Sequence, residues 1–96
     1  MKDLEFDWDE RKAASNKRKH GISFEEAVTV FYDESARHMP DLDHSDDEDR
    51  FVLLGMSARL RILVVCHCYR KGDSVIRVIS ARKANKKEKI IYERAL

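Results

Sequence analysis

The second half of the sequence consists mainly of three runs rich in Val, Ile and Leu, separated by short polar segments. The runs cover Phe51 to Met56, Ile62 to Tyr69 and Ser74 to Ala81. Their length and β-branched content are typical of strands, and such short connections join strands in an antiparallel arrangement. Lys71-Gly72-Asp73 is the clearest turn, since glycine readily adopts the positive φ that tight hairpins need. The chain is therefore predicted to contain an antiparallel meander.

Two helices are predicted in the first half. Asp9 can cap a helix from Glu10 to His20, which ends in four basic residues before Gly21, as helix-dipole and C-cap preferences favour. Ser23 and Glu26 have the spacing of a capping box for a second helix that ends near residue 33. Its apolar residues have the spacing of one buried helical face: Phe24, Ala27, Val28 and Phe31.

The remaining segments complete an α+β fold. Leu4 to Trp8 alternates apolar and acidic residues and predicts a first strand, while Arg37 to Pro40 predicts a short edge strand that the proline ends. Asp41 to Asp49, with six acidic residues among nine, is expected to be an exposed loop. Lys86 to Leu96 predicts a last helix, capped by Asn85. The predicted order is an N-terminal strand and two helices, an antiparallel sheet of three to four further strands, and a C-terminal helix.

The length of 96 residues fits one domain spanning 1–96, and the composition, 43% hydrophobic and 39% charged, indicates a folded chain with a densely charged surface. The longest apolar stretch, Ile62 to Cys66, is far shorter than the roughly 20 residues of a membrane span. We therefore expect a cytoplasmic protein without a membrane partner.

Cys66 and Cys68 are the two cysteines, and they lie two residues apart on a predicted strand. A zinc site needs about four ligands, commonly with Cys-x2-Cys spacing, and Cys66-His67-Cys68 offers neither. We expect two free thiols, no metal and no cofactor.

Charge is divided unevenly along the chain, although the formal net charge is only +1. Met1 to Asp49 has 7 Lys or Arg against 15 Asp or Glu, and Arg50 to Leu96 has 12 against 3, so the halves carry −8 and +9. The basic half can form a surface that attracts phosphate. Alternatively, the two halves pair with each other in the fold.

A specific combination of short motifs runs from Phe6 to Tyr92. In the first half the motifs are Phe6-x-Trp8-Asp9-x-x-Lys12, Asn16-x-x-Lys19-His20-Gly21-x-x-Phe24-x-Glu26-Ala27 and Phe31-x-Asp33. In the second half they are Asp43, Asp49-Arg50, Gly55, Leu63-x-Val65, Arg77-Val78-Ile79-Ser80-Ala81-Arg82-Lys83-Ala84, Glu88 and Tyr92. Together they resemble the BrnT family of bacterial toxins.

The resemblance implies a RelE-like α+β fold and a toxin of a type II toxin-antitoxin system. Such a toxin is an endoribonuclease that cleaves RNA, inhibits translation and is neutralised by an antitoxin of the BrnA type. The resemblance further implies that the antitoxin carries a ribbon-helix-helix DNA-binding part. A dimeric antitoxin would give a two-to-two heterotetramer.

Metal-independent cleavage of RNA by the ribose 2′-hydroxyl needs a base, an acid and fixed cations around the phosphate. Arginine suits the clamp and histidine the proton transfers, so we predict Arg82, Arg61 and His67 as catalytic residues. Arg61 and His67 have the parity of one sheet face. Arg77 and Arg82 have opposite parities, so only one should meet phosphate; Arg82 is preferred, with Arg77 binding RNA or organising the sheet. Ion pairs for the arginines, and a hydrogen-bonded sheet position for His67, are the structural alternatives.

The predicted helices supply further candidates. Lys12 and His20 are predicted to be catalytic and Lys19 to bind RNA, because Lys12 and Lys19 are about two turns apart on one helix. His20 can instead complement the helix C-terminus. Lys83 and Lys86-Lys87 are predicted to bind RNA, since lysines at a helix N-terminus are unfavourable without a partner. A non-catalytic nucleic-acid-binding regulatory module and a silent member of a toxin-antitoxin complex are the alternative functions.

Overall fold

The computed structural model describes residues 4–40, 50–94 and 96. The acidic segment predicted to be a loop, 41–49, lies outside the described residues. The elements in chain order are β1 (Glu5–Asp7), α1 (Glu10–His20), α2 (Phe24–Thr29) with a following 3-10 turn (Val30–Tyr32), β2 (Arg37–Met39), β3 (Phe51–Met56), β4 (Ile62–Arg70), β5 (Val75–Lys83) and α3 (Lys86–Arg94). The α+β order predicted from the sequence is confirmed.

The strands form one five-stranded sheet with the order β1-β5-β4-β3-β2. The predicted meander of β3, β4 and β5 is antiparallel throughout, and β2 extends it at one edge. At the other edge β1 pairs parallel to β5, with Asp7 opposite Arg77. Hydrophobic periodicity predicts that β1 exists but does not predict its partner, because that pairing joins residues about 70 positions apart.

Each face of the sheet carries a separate apolar cluster. The face packed by α1 and α2, which we call the helix-pair face, contains most of the core: Ile22, Phe24, Ala27, Val30, Leu53, Leu63, Val65, Val78 and Ala81. The opposite face, which we call the α3 face, carries a smaller cluster: Val52, Leu54, Val64, Ala84 and Tyr92. The sheet therefore buries apolar side chains on both faces, under α1 and α2 on one side and under α3 on the other.

A β-bulge in β5 changes which side chains share a face. Cys66 lies opposite Ser80, but the next residue of β4, His67, lies opposite Val78, so Ile79 is the extra residue. Arg77 and Arg82 consequently lie opposite Cys68 and Val64, which have the same parity on β4. Both arginines therefore belong to the α3 face, and the prediction that they lie on opposite faces is wrong.

The helix ends follow the sequence signals closely. The Asp9 side chain accepts hydrogen bonds from the first amides of α1, and Gly21 ends the helix with a φ of 72°. Ser23 caps α2 by accepting from the Glu26 amide at 3.1 Å. The predicted capping box is only half formed, because the Glu26 carboxylate is directed away from Ser23 to other partners.

The side chain of Asn16 joins α1 to the sheet through hydrogen bonds. Its amide donates to the Ala81 carbonyl at 2.8 Å and accepts from the Ala81 amide at 3.0 Å. The same amide group donates to the Ile22 carbonyl at 2.9 Å. Asn16 is 6% exposed, so these bonds satisfy a buried polar group while fixing α1 on β5.

Candidate functional site

A cluster of basic residues lies where β5 ends and α3 begins. The chain that leaves β5 stays attached to the start of β4, since the Ala84 amide donates to the Ile62 carbonyl at 2.9 Å. The lysines at this place are exposed, and both arginines are half-buried. We call this surface the basic end; its residues are Arg61, Arg82, Lys83, Lys86 and Lys87.

Arg82 is held in a fixed position by Glu88. Its Nη1 and Nη2 donate to the two carboxylate oxygens of Glu88 at 2.8 and 2.9 Å, the two-bond geometry that favours arginine over lysine. Glu88 also accepts from the Asn85 amide at 2.8 Å while the Asn85 side chain caps the Glu88 amide at 2.9 Å. The bonds from Arg82, which have the largest effect, and the bond from the Asn85 amide lower the pKa of Glu88. The helix cap therefore orients the guanidinium, whose side chain remains 42% exposed.

Arg61 pairs with a buried carboxylate on α2. Its Nε donates to Glu26 at 2.8 Å, its Nη2 donates to the other carboxylate oxygen, and the Ser57 hydroxyl donates to Glu26 at 2.7 Å. The Glu26 side chain is only 3% exposed. The hydrogen bonds from Arg61 lower the pKa of Glu26, against the effect of burial, and Ser57 lowers it further. Arg61 thereby fixes the turn between β3 and β4 to α2.

His67 is completely buried in a cluster of aromatic rings on the helix-pair face. Its ring centroid lies 4.8 Å from that of Phe31, 5.5 Å from Tyr69 and 6.1 Å from Phe51. Burial lowers the pKa of His67 to about 4, so the ring is neutral at pH 7. Its Nδ1 lies 3.3 Å from the Val65 carbonyl oxygen, and its Nε2 has no hydrogen-bond partner among residues 4–40 and 50–94.

The phosphate cradle expected from Arg61, His67 and a β5 arginine does not form. Arg61 immediately precedes β4 and His67 lies six residues further on, with buried Leu63 and Val65 between them under the helices. Arg82 extends from the opposite face of the sheet. Shared parity placed Arg61 and His67 on one face correctly, but it does not indicate that α2 covers that face.

Arg77 and the basic residues of α1 lie apart from the basic end. Arg77 is adjacent to Asp7, with Nη1 at 3.7 Å from a carboxylate oxygen, which is the ion pair with the acidic half considered as an alternative. Lys12, Lys19 and His20 are exposed on α1. Because α1 packs on the helix-pair face, these three residues and Arg82 lie on different sides of the sheet.

Asp33 and Tyr92 form a long-range contact that sequence reasoning did not predict. The Tyr92 hydroxyl donates to Asp33 at 2.6 Å, and the Met56 amide donates to the same oxygen at 2.8 Å. Burial alone would raise the pKa of Asp33, but these bonds and one from the Ser35 amide outweigh it and lower the pKa. Burial and Asp33 raise the pKa of Tyr92 to about 12. Both residues belong to the motifs that resemble the BrnT family, and this is the sequence signal that could have identified them.

These features define a class of protein: a small α+β domain whose mixed sheet presents a cationic end suited to a polyanion. The particular family follows from comparison. The model of the family described as ribonuclease toxin, BrnT, of type II toxin-antitoxin system matches residues 8–88. The chain belongs to this family. It is therefore a ribonuclease toxin of a type II system, with RNA as substrate class and an antitoxin as partner.

A solved structure agrees with the family match. The chain is similar to the Brucella abortus ribonuclease toxin BrnT, whose crystal structure superposes with a TM-score of 0.66 at 28% sequence identity. The similarity covers 88% of this chain and 100% of the Brucella chain. No protein with a curated description matches. Among the described residues, no helix has both the length and the apolar character needed to cross a membrane.

Proposed function

We propose that this chain is a metal-independent endoribonuclease that cleaves RNA by 2′-hydroxyl attack and thereby inhibits translation. The chain acts as a single cytoplasmic domain. Its partner is a BrnA-like antitoxin with a ribbon-helix-helix DNA-binding part, in a two-to-two heterotetramer. The observation that supports this proposal most directly is the oriented guanidinium of Arg82 among the lysines of the basic end.

Arg82 is the residue we assign to the reacting phosphate. Its bonds to Glu88 fix the plane of the guanidinium before substrate binds. Glu88 offsets part of its charge, but the Arg82 side chain is 42% exposed, against 27% for Arg61, and so remains accessible to a phosphate. Exposed Lys83, Lys86 and Lys87 follow Arg82 closely in the chain and give this end of the sheet the positive charge that attracts the RNA backbone. These cations supply the charge stabilisation that a metal ion supplies in other nucleases, which is why we propose a metal-independent reaction.

The other predicted site residues take different roles in this proposal. Arg61 and Arg77 hold structural ion pairs, and His67 is part of the core. Lys12, Lys19 and His20 form a second basic surface that contacts RNA away from the reacting phosphate. The histidines of the described residues, His20, His38 and His67, all belong to the helix-pair side. In this proposal the 2′-hydroxyl therefore gives its proton to water and the leaving 5′-oxygen takes a proton from water, while Arg82 stabilises the charge that develops on the phosphate.

Cleavage of a defined RNA by the purified chain, with and without EDTA, tests the enzymatic proposal. Cleavage should survive the chelator and fall about 10²–10³-fold in Arg82→Ala, the range seen when one charge-stabilising donor is removed. Arg82→Lys should recover little, since lysine lacks the two-bond fork. Arg94→Ala is the matched control, because Arg94 is an exposed arginine at the other end of α3.

Three results would contradict the proposal. They are loss of cleavage with EDTA, an Arg82→Ala variant that cleaves at the wild-type rate, and intact RNA that nevertheless shifts on a gel. The last result would favour a non-catalytic nucleic-acid-binding module. The antitoxin proposal is tested by co-expression with the adjacent reading frame, followed by measurement of the mass of the purified complex. A mass other than that of two copies of each chain would refute the stoichiometry.

A further inference from the structure

Leu60 occupies an unusual position for a large apolar residue. It is 79% exposed, and its φ of 62° lies in the left-handed region. It ends the turn between β3 and β4, where the Leu60 amide donates to the Ser57 carbonyl at 2.9 Å. Three-residue hairpin loops commonly place glycine at such a position, because a side chain there is strained. The sequence therefore keeps an exposed leucine where both solvation and backbone energy favour glycine.

The turn that presents Leu60 is rigid. The Ser57 amide donates to the Arg61 carbonyl at 2.8 Å, and the Ala58 amide donates to the Thr29 hydroxyl at 2.8 Å. The Ser57 hydroxyl and Arg61 both bind the buried carboxylate of Glu26. Leu60 is consequently held in place before any partner arrives, which lowers the entropy that binding would otherwise cost.

Leu60 also lines a cavity of about 320 Å³ at the end of the sheet. Aliphatic side chains of Met56 and Ile62 form its other apolar surface, and its cations come from the turn before β4, from β5 and from α3: Arg61, Lys83 and Lys89. Glu26 neutralises Arg61, so the net positive charge comes from the two lysines. The apolar lining is aliphatic and offers no ring on which a nucleobase could stack.

We propose that this cavity docks a protein segment that places an apolar side chain against Leu60 and carboxylates against Lys83 and Lys89. An aliphatic centre surrounded by cations is complementary to an acidic amphipathic segment, and a preorganised apolar residue at the centre of a contact is typical of an affinity-determining position. The inference rests on the proposed function in taking the antitoxin as the protein that carries this segment.

Leu60→Gly tests the inference cleanly, because glycine tolerates a φ of 62° and the variant should fold with an unchanged or higher unfolding midpoint. Its affinity for the antitoxin from the adjacent reading frame, measured by calorimetry, should fall about 10- to 100-fold. Lys89→Glu should also weaken binding, through repulsion of the carboxylates. Leu96→Ser is the matched control, since Leu96 is 75% exposed and does not line the cavity. RNA cleavage by Leu60→Gly should equal that of the wild type.

Each other outcome has a distinct meaning. Wild-type affinity in Leu60→Gly and Lys89→Glu overturns the docking surface and leaves the proposed function intact. Weaker binding of a non-cleavable single-stranded RNA, with antitoxin affinity unchanged, overturns it in favour of an RNA contact. If the wild-type chain does not bind the adjacent protein at all, the proposed partner is refuted and the inference with it.

Discussion

Removal of the Arg61 guanidinium separates a structural role for this residue from the catalytic role that its sequence position suggested. In Arg61→Ala the buried Glu26 carboxylate loses both hydrogen bonds from its cation and keeps only Ser57 as a side-chain donor. Breaking a buried ion pair costs about 3–5 kcal/mol, and the lower value applies because the Arg61 side chain is 27% exposed. For a domain of this size, about 3 kcal/mol lowers the midpoint of thermal unfolding by roughly 12–24 °C.

The pH dependence of the free energy of unfolding gives a second test, because its sign differs between the wild type and Arg61→Ala. In the wild type the pKa of Glu26 is lowered in the fold, so its stabilising contribution is present above the unfolded pKa and is lost as pH falls through the folded pKa. In Arg61→Ala the largest remaining influence on the pKa of Glu26 is burial, which raises it against the bond from Ser57. We therefore expect the variant to gain stability as pH falls from 7 towards 5. Adding Glu26→Gln removes the unpaired charge and should recover part of the loss.

Urea unfolding at pH 7 and pH 5 measures these free energies of unfolding. Cleavage activity is measured for each variant at a temperature 20 °C below its own midpoint of thermal unfolding. An Arg61→Ala variant as stable as the wild type but without cleavage would refute the structural role. It would support instead the catalytic role first assigned to Arg61. Non-additivity in the cycle with Glu26→Gln is required, because the two side chains contact each other.

Three further substitutions test the remaining contacts. His67→Phe should retain cleavage, and a folded but inactive variant would contradict this. In the wild type, stability should fall on the order of 3 kcal/mol as pH falls from about 6.5 to about 4, since only the unfolded histidine binds a proton there. His67→Phe should abolish this loss. Tyr92→Phe should cost about 2 kcal/mol in urea unfolding by removing a bond to charged Asp33, and no change would mean the bond is absent in solution. Gly55→Ala should cost about 1–3 kcal/mol, because the new Cβ would lie 2.8 Å from Val30 Cγ1 and 2.9 Å from Ala36 Cβ; calorimetric melting measures it, and an equal midpoint would show that both neighbours move aside at no cost.

Local signals in the sequence predicted most of the fold. Asp9, Gly21 and Ser23 determine helix ends through neighbouring backbone groups, so their effect is readable within a few residues. Phe51–Met56 was predicted with its observed bounds. The parallel pairing of β1 with β5 was not, because it depends on which strand the chain meets after folding. Strand parity also failed at Ile79, since a bulge inserts a residue without a recognisable sequence mark.

The candidate site was predicted less well than the fold. Basic residues at the end of β5 and the start of α3 do lie together, because they are adjacent in the chain. The failure concerned charged residues whose partners are distant: Arg61 is neutralised by Glu26, 35 positions away. His67 is buried by Phe31 and Phe51, which composition cannot reveal. A charge in a sequence indicates what a residue can bind, whereas the fold determines what it has already bound.

The amide of Asn16 has a consequence for how this molecule meets other chains. β1 pairs with only residues 75–77 of β5, and no other strand of the described residues pairs along that edge of β5. Asn16 occupies the donor and the acceptor of Ala81 on this edge, as one residue of a neighbouring strand would. Because the side chain occupies these two backbone groups, a further strand from a foreign peptide or from a second copy cannot bond them. At Ala81 the edge of the sheet is closed by a single carboxamide rather than by a further strand.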